Sequence, residues 1–82
     1  AIKTRLEIES IIETAVASGS GEELYKLLPL LALPDNPYTL FALGACRGLA
    51  TQENFARYFQ DEMKKSSGRL HERLRYILGG QS

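Results

Sequence analysis

The sequence predicts an all-α protein, a compact bundle of four or five short helices. Three observations carry this. Helix start and stop signals recur along the chain, apolar residues repeat at helical spacing between them, and strand signals are poor. Valine occurs once, no useful alternating run exists, and there is no Asn-Gly or Asp-Gly hairpin turn. The short links between helical segments favour a bundle.

Thr4 and Glu7 have capping-box spacing, in which the hydroxyl accepts an amide and the carboxylate reaches back. Leu6, Ile8, Ile11, Ile12, Ala15 and Val16 then recur as an inward stripe, and Gly19 is the stop. Ser20 and Glu23 repeat the box and start a second helix lined by Leu24, Leu27 and Leu28. Pro29 lacks an amide donor and clashes with the preceding turn, so that helix is expected to end or kink there. Leu30 to Leu33 form a short apolar link, followed by a turn at Pro34-Asp35. Asn36-Pro37 starts a third helix, since Asn is a preferred cap and Pro suits the first helical position. It is expected to reach about Arg47, with Leu40, Phe41, Leu43 and Ala45 as its apolar residues. Gly44 and Gly48, four apart, suit close helix packing or a stop. Thr51 is the expected cap of a fourth helix with Phe55, Tyr58, Phe59 and Met63 inward. Ser66-Ser67-Gly68 breaks it, Ser67 caps a fifth with Leu70, Leu74, Ile77 and Leu78 inward, and Gly79-Gly80 stops it.

With 82 residues, 44% hydrophobic and 24% charged, residues 1–82 read as a single folded domain. The start at Ala1 rather than Met leaves room for a longer parent chain. The longest apolar run, Leu27 to Leu33, is broken by Pro29, so nothing spans a membrane, and no signal-peptide pattern opens the chain. Cys46 is the only cysteine, which excludes an intrachain disulfide and a cysteine-built zinc site. A reducing, cytoplasmic setting fits that usage.

The formal net charge of zero hides an asymmetry. Residues 1–36 carry three bases against six acids, a net −3, and residues 55–82 carry six bases against three acids, a net +3. Such a split either places an anionic partner at the basic end or reflects solvated helix faces.

No catalytic set emerges, and no enzyme, metal or cofactor is expected. His71 is the lone histidine and lacks a positioned partner, so it reads as a packing or solvent-facing residue. Cys46, in an apolar small-residue helix, reads as an inert packing thiol. The glycines match neither a phosphate loop nor a dinucleotide turn. Adjacent acids such as Glu22-Glu23 and Asp61-Glu62 diverge by about 100° on a helix and make no acid–base dyad.

From Leu40 onward a longer pattern is present. Gly44, Gly48, Leu49, Phe55, Arg57, Phe59, Glu62 and Ser66 fall in one ungapped register. Over about residues 40–78 this resembles the second helix-turn-helix of AraC-type transcription regulators. Lys64 and Ser67 stand where that family usually has Gly and Pro, and residues 1–35 hold no first motif. The resemblance implies that Gly48 ends the first helix of the motif in a left-handed conformation. It also implies that the fourth helix enters the DNA major groove. Thr51, Gln52, Asn54 and Arg57 would then contact bases, where Asn and Gln match adenine and Arg matches guanine. Lys64, Lys65 and Arg69 would neutralise phosphates.

Two functions follow as expectations. One is a DNA-binding domain of a transcription regulator. The other is a helical protein-interaction or regulatory module without nucleic acid, which pairs with a protein partner or a second copy through Leu27, Leu30, Leu31 and Leu33.

Overall fold

The computed structural model describes residues 4–79. It is an all-α bundle: α1 Arg5–Ser18, a 3-10 segment Glu22–Leu27 running into α2 Leu28–Leu31, α3 Pro37–Leu49, α4 Glu53–Lys65 and α5 Gly68–Ile77. No strand occurs among the described residues, and no helix there is long and apolar enough to cross a membrane.

Local chemistry accounts for most boundaries. The Thr4–Glu7 box forms in full, with the Thr4 amide donating to Glu7 Oε1 at 2.9 Å and the Glu7 amide donating to Thr4 Oγ1 at 3.3 Å. Gly19 ends α1 in the left-handed region at φ 71°, where its amide reaches the Ala15 and Val16 carbonyls. Asn36 caps α3: its Oδ1 accepts the Tyr38 and Thr39 amides at 3.0 Å, and its Nδ2 donates to Thr39 Oγ1 at 2.7 Å. Asn36→Ala is therefore expected to lower stability by about 1–2 kcal/mol, measured by urea unfolding, while Asn36→Ser retains most of it.

The second predicted helix is different in kind. Ser20 Oγ accepts the Glu22 amide at 3.2 Å, and residues 22–27 wind as a 3-10 helix. Pro29 supplies the reason. In an α-helix the Tyr25 carbonyl would need the amide that Pro29 lacks; in the tighter winding it takes the Leu28 amide instead. Pro29 then lies in the first turn of α2, where no donor is needed. The helical path is thus redirected at Pro29 rather than ended.

Two further boundaries depart from expectation, and a third lacks its capping bond. α3 runs on to Leu49, with Gly48 inside it; the glycines with positive φ are Gly19, Gly68 and Gly79. The left-handed turn at Gly48 is therefore absent. Gln52, not Thr51, is the N-cap residue of α4, and the Thr51 hydroxyl turns back to donate to the Gly48 carbonyl at 2.9 Å. Ser67 sits at the N-cap of α5 but makes no side-chain capping bond. Gly79 takes φ 73°, and Gly80 lies outside the described residues.

α1 packs on the 3-10 segment and on α3, α3 on α2 and α5, and α4 on α5. The core is built from Ile8, Ile11 and Ala15, from Leu24, Leu27, Leu30 and Leu31, from Ala42, Cys46 and Leu49, and from Phe55, Phe59, Leu74, Ile77 and Leu78. The expected inward stripe of α1 is narrower than the sequence suggested. Leu6 and Val16 are exposed, because the seam uses only the row Ile8, Ile11 and Ala15. On α3 the buried row is Thr39, Ala42, Cys46 and Leu49, which leaves Leu40 exposed. A Cβ on Gly44 or Gly48 would meet nothing within 4 Å, so neither glycine serves close packing.

The apolar link is core as well. Leu27, Leu30 and Leu31 are 0–3% exposed, and Leu33 packs half-buried against the same cluster. The expected docking stripe Leu27, Leu30, Leu31 and Leu33 is thus not a free surface. The chain is small enough that its own core needs these leucines.

Candidate functional site

Two surfaces compete for a functional role: the outer face of α4 and the furrow between α1 and α3.

The α4 face holds the residues expected to read bases. Thr51, Gln52, Asn54 and Arg57 are all exposed and lie together on the α3–α4 turn and the first turns of α4. Their polar groups are partly engaged. Asn54 Nδ2 donates to the Gly19 carbonyl at 2.6 Å, which ties the start of α4 to the end of α1. Arg57 pairs with Glu53 at 3.3 Å. On one face of α4 the sequence alternates Glu53, Arg57, Asp61 and Lys65 at four-residue spacing, a self-compensating solvated stripe rather than a basic one.

The basic last third is likewise largely used inside the molecule. Lys65 pairs with Glu62 at 3.3 Å. Arg69 donates to the Ala32 carbonyl at 3.3 Å. Arg73 donates to the Leu31 carbonyl at 3.0 Å and pairs with Asp35 at 2.6 Å. Two arginines one turn apart on α5 thus satisfy the carbonyl end of α2, where positive charge is favoured. Arg47 lies over the Tyr76 ring, 4.4 Å from its centroid. Lys64 and Arg75 have no partner among the described residues. The structure therefore brings Thr51, Gln52, Asn54 and Arg57 together, sets Lys64 and Lys65 about two turns along α4, and turns Arg69 toward α2.

The second surface is an open furrow of about 290 Å³ lined by Glu9, Ile12, Glu13, Phe41 and Ala45. Ile12, Phe41 and Ala45 are half-buried and form its floor. α1 contributes positions 9, 12 and 13 and α3 positions 41 and 45, with Gly48 continuing the α3 row. Arg5 closes one end. Its guanidinium stacks on Phe41 at 4.4 Å and lies 3.6 Å from the Glu9 carboxylate. Glu13 is exposed and has no partner among the described residues. In sequence Ile12 falls on the inward stripe of α1 and Phe41 is one apolar residue of α3 among several, so the furrow is not apparent there. The signal was a second row on each helix, Glu9–Ile12–Glu13 and Phe41–Ala45–Gly48, offset from the core row.

The groups with potential chemistry are internal. Cys46 is fully buried, and burial pushes its thiol up to about 12 from 9.0. Burial first, then the nearby charges of Glu62 and Cys46, push the Tyr58 phenol up to about 12. Its hydroxyl is buried without a hydrogen-bond partner. His71 Nδ1 lies 3.0 Å from the Met63 carbonyl at the end of α4, a packing role across the α4–α5 junction. No group of three or more His, Cys, Asp or Glu among the described residues is placed to hold a metal ion.

The raised values set a pH dependence. Both groups bind their protons more tightly when folded, so their contribution is fully present below about pH 9 and is lost as pH rises toward 12. The midpoint of urea unfolding is expected to fall steadily across that window. Cys46→Ala removes part of the slope, and an unchanged slope would mean that the thiol is not buried.

No family model matches the sequence, and neither a curated protein nor a solved structure is significantly similar to it.

Proposed function

We propose that the chain is a non-catalytic helical module that binds another protein through the α1–α3 face. The observation that carries this is the open furrow with an apolar floor, which among the described residues only Arg5 covers, at its Phe41 end. A groove with an apolar floor between two helices is one form that helix-docking sites take. We place the module in the cytoplasm, because its one cysteine is a free buried thiol, as a reducing compartment favours.

The test is a contrast between two surface variants of the tagged full chain. Phe41→Lys with Ala45→Lys is expected to stay folded and to lose a partner captured from the native cell extract. Arg57→Glu with Lys65→Glu is expected to keep it. The reverse pattern would reject the α1–α3 face.

DNA binding by a helix-turn-helix is the second reading. It is favoured by the common exposure of Thr51, Gln52, Asn54 and Arg57. Against it stand the helical Gly48, the alternating charge along α4 and the internal use of Arg69 and Arg73. A domain neutralising several phosphates loses affinity steeply between about 50 and 200 mM salt. The proposal expects duplex DNA to bind only weakly even at low salt. Tight binding with a steep salt slope, abolished by Arg57→Glu, would put the DNA reading in its place.

A further inference from the structure

We infer that the occupant of the α1–α3 furrow is a basic amphipathic helix of another protein, with a large apolar residue on the floor and Lys or Arg beside Glu9 and Glu13. This rests on the docking reading above and adds the chemistry of the partner.

Shape and charge both contribute. The furrow runs between two helices, and a third helix laid along it would complete a layer. Its floor of Ile12, Phe41 and Ala45 accepts one large aliphatic or aromatic side chain. Beyond Ala45 the row continues to Gly48, where space is open and no side chain would hold the incoming backbone away. The rim carries the carboxylates of Glu9 and Glu13, one turn apart on α1. Arg5 lies 3.6 Å from Glu9, a loose and exposed pairing, while Glu13 has no partner among the described residues. A cation opposite Glu13 would therefore meet an uncompensated charge.

Charge also disfavours the simplest self-association. In a two-fold homodimer the same patch faces itself. Each copy would then bring two carboxylates, Glu9 and Glu13, and the one cation Arg5 to the contact, so negative charge is in excess on both sides. A partner with basic residues at helical spacing has no such conflict.

The probe is a pair of synthetic helical peptides of about 14 residues, long enough to run about 20 Å. One is built of Leu, Ala and Lys, and the other carries Glu in place of every Lys. Each is titrated into the ¹⁵N-labelled full chain at low salt, and affinity is measured by fluorescence anisotropy. The Lys peptide is expected to shift the amides of Ile12, Glu13, Phe41 and Ala45 and to bind at least about tenfold more tightly than the Glu peptide, as two opposed charge pairs would produce at low ionic strength. Glu9→Gln with Glu13→Gln, surface changes that leave the core intact, is expected to erase that preference.

Equal binding of both peptides in the furrow would overturn the basic occupant and leave the docking face standing. Shifts confined to α4 and α5, or no shifts at all, would overturn the inference. The docking reading would then be decided separately by the Phe41 and Ala45 contrast. A dimer joined through the furrow in the absence of peptide would also overturn it.

Discussion

Leu31→Asp is expected to abolish the folded state. Leu31 is 0% exposed and belongs to α2, which packs on the 3-10 segment, α3 and α5. An unpaired carboxylate there loses its hydration and gains no partner, at several kcal/mol. A domain of this size has a total stability of roughly 4–12 kcal/mol, from about 0.05–0.15 kcal/mol per residue. One such change therefore removes most or all of it. Circular dichroism should show loss of the cooperative thermal transition, not merely loss of a partner. A well-folded Leu31→Asp chain would place Leu31 at a surface and restore the leucine stripe as a docking site. Phe41→Lys provides the contrast. Its side chain is only half-buried, and the variant is expected to keep its transition.

Gly21→Ala is the second large effect, and it arises from a single methyl group. A Cβ on Gly21 would come within 2.6 Å of Tyr58 Cγ and 2.7 Å of Tyr58 Cβ. The Tyr58 Cβ is fixed by the α4 backbone, so no rotamer change clears the contact. Either the loop before the 3-10 segment or α4 must move. Overpacking of this kind costs about 1–3 kcal/mol, and the fixed neighbour puts this case at the upper end. The same displacement would strain the Asn54 bond to the Gly19 carbonyl, two residues before Gly21. Tyr58→Ala removes the ring and its edge-on contact with Phe59 at 5.6 Å, and leaves only the Cβ contact. The double variant should therefore lose less stability than the two single losses added together. Strict additivity in urea unfolding would mean that the two residues do not touch.

What was legible in the sequence was local. Thr4 with Glu7, Gly19, and Asn36 with Pro37 each act within one turn, and each forms the cap or stop its residue type dictates. The Phe55 and Phe59 pair also shows its burial directly, because few other arrangements of α4 hide two rings four apart. The 3-10 winding was harder to read, since it depends on Pro29 removing a donor that Tyr25 would otherwise use. Apart from the local signals at Gly48, Thr51 and Ser67, the expectations that failed were tertiary. Leu6 and Ile8 are both apolar on one helix, and only packing decides that one is 78% exposed and the other fully buried.

The charge asymmetry shows the same limit. Arg69 and Arg73 count toward a basic end in sequence, yet their partners lie 37 and 42 residues away at the end of α2. Nothing within a helical turn of either arginine announces this. The residues of the α4 face were legible as an exposed set, because Phe55 and Phe59 fix which side of that helix faces inward. The furrow was not, because Ile12 and Phe41 look like core residues until the narrow rows of α1 and α3 are known.

We propose that the working surface is the α1–α3 face and not the outer face of α4. Site-specific photocross-linking separates the two faces. A photoreactive amino acid is placed at position 45 in one full-length variant and at position 57 in another, and both are irradiated in the native cell. A discrete protein adduct is expected from position 45 and none from position 57. A nucleic-acid adduct from position 57, with none from position 45, would contradict it.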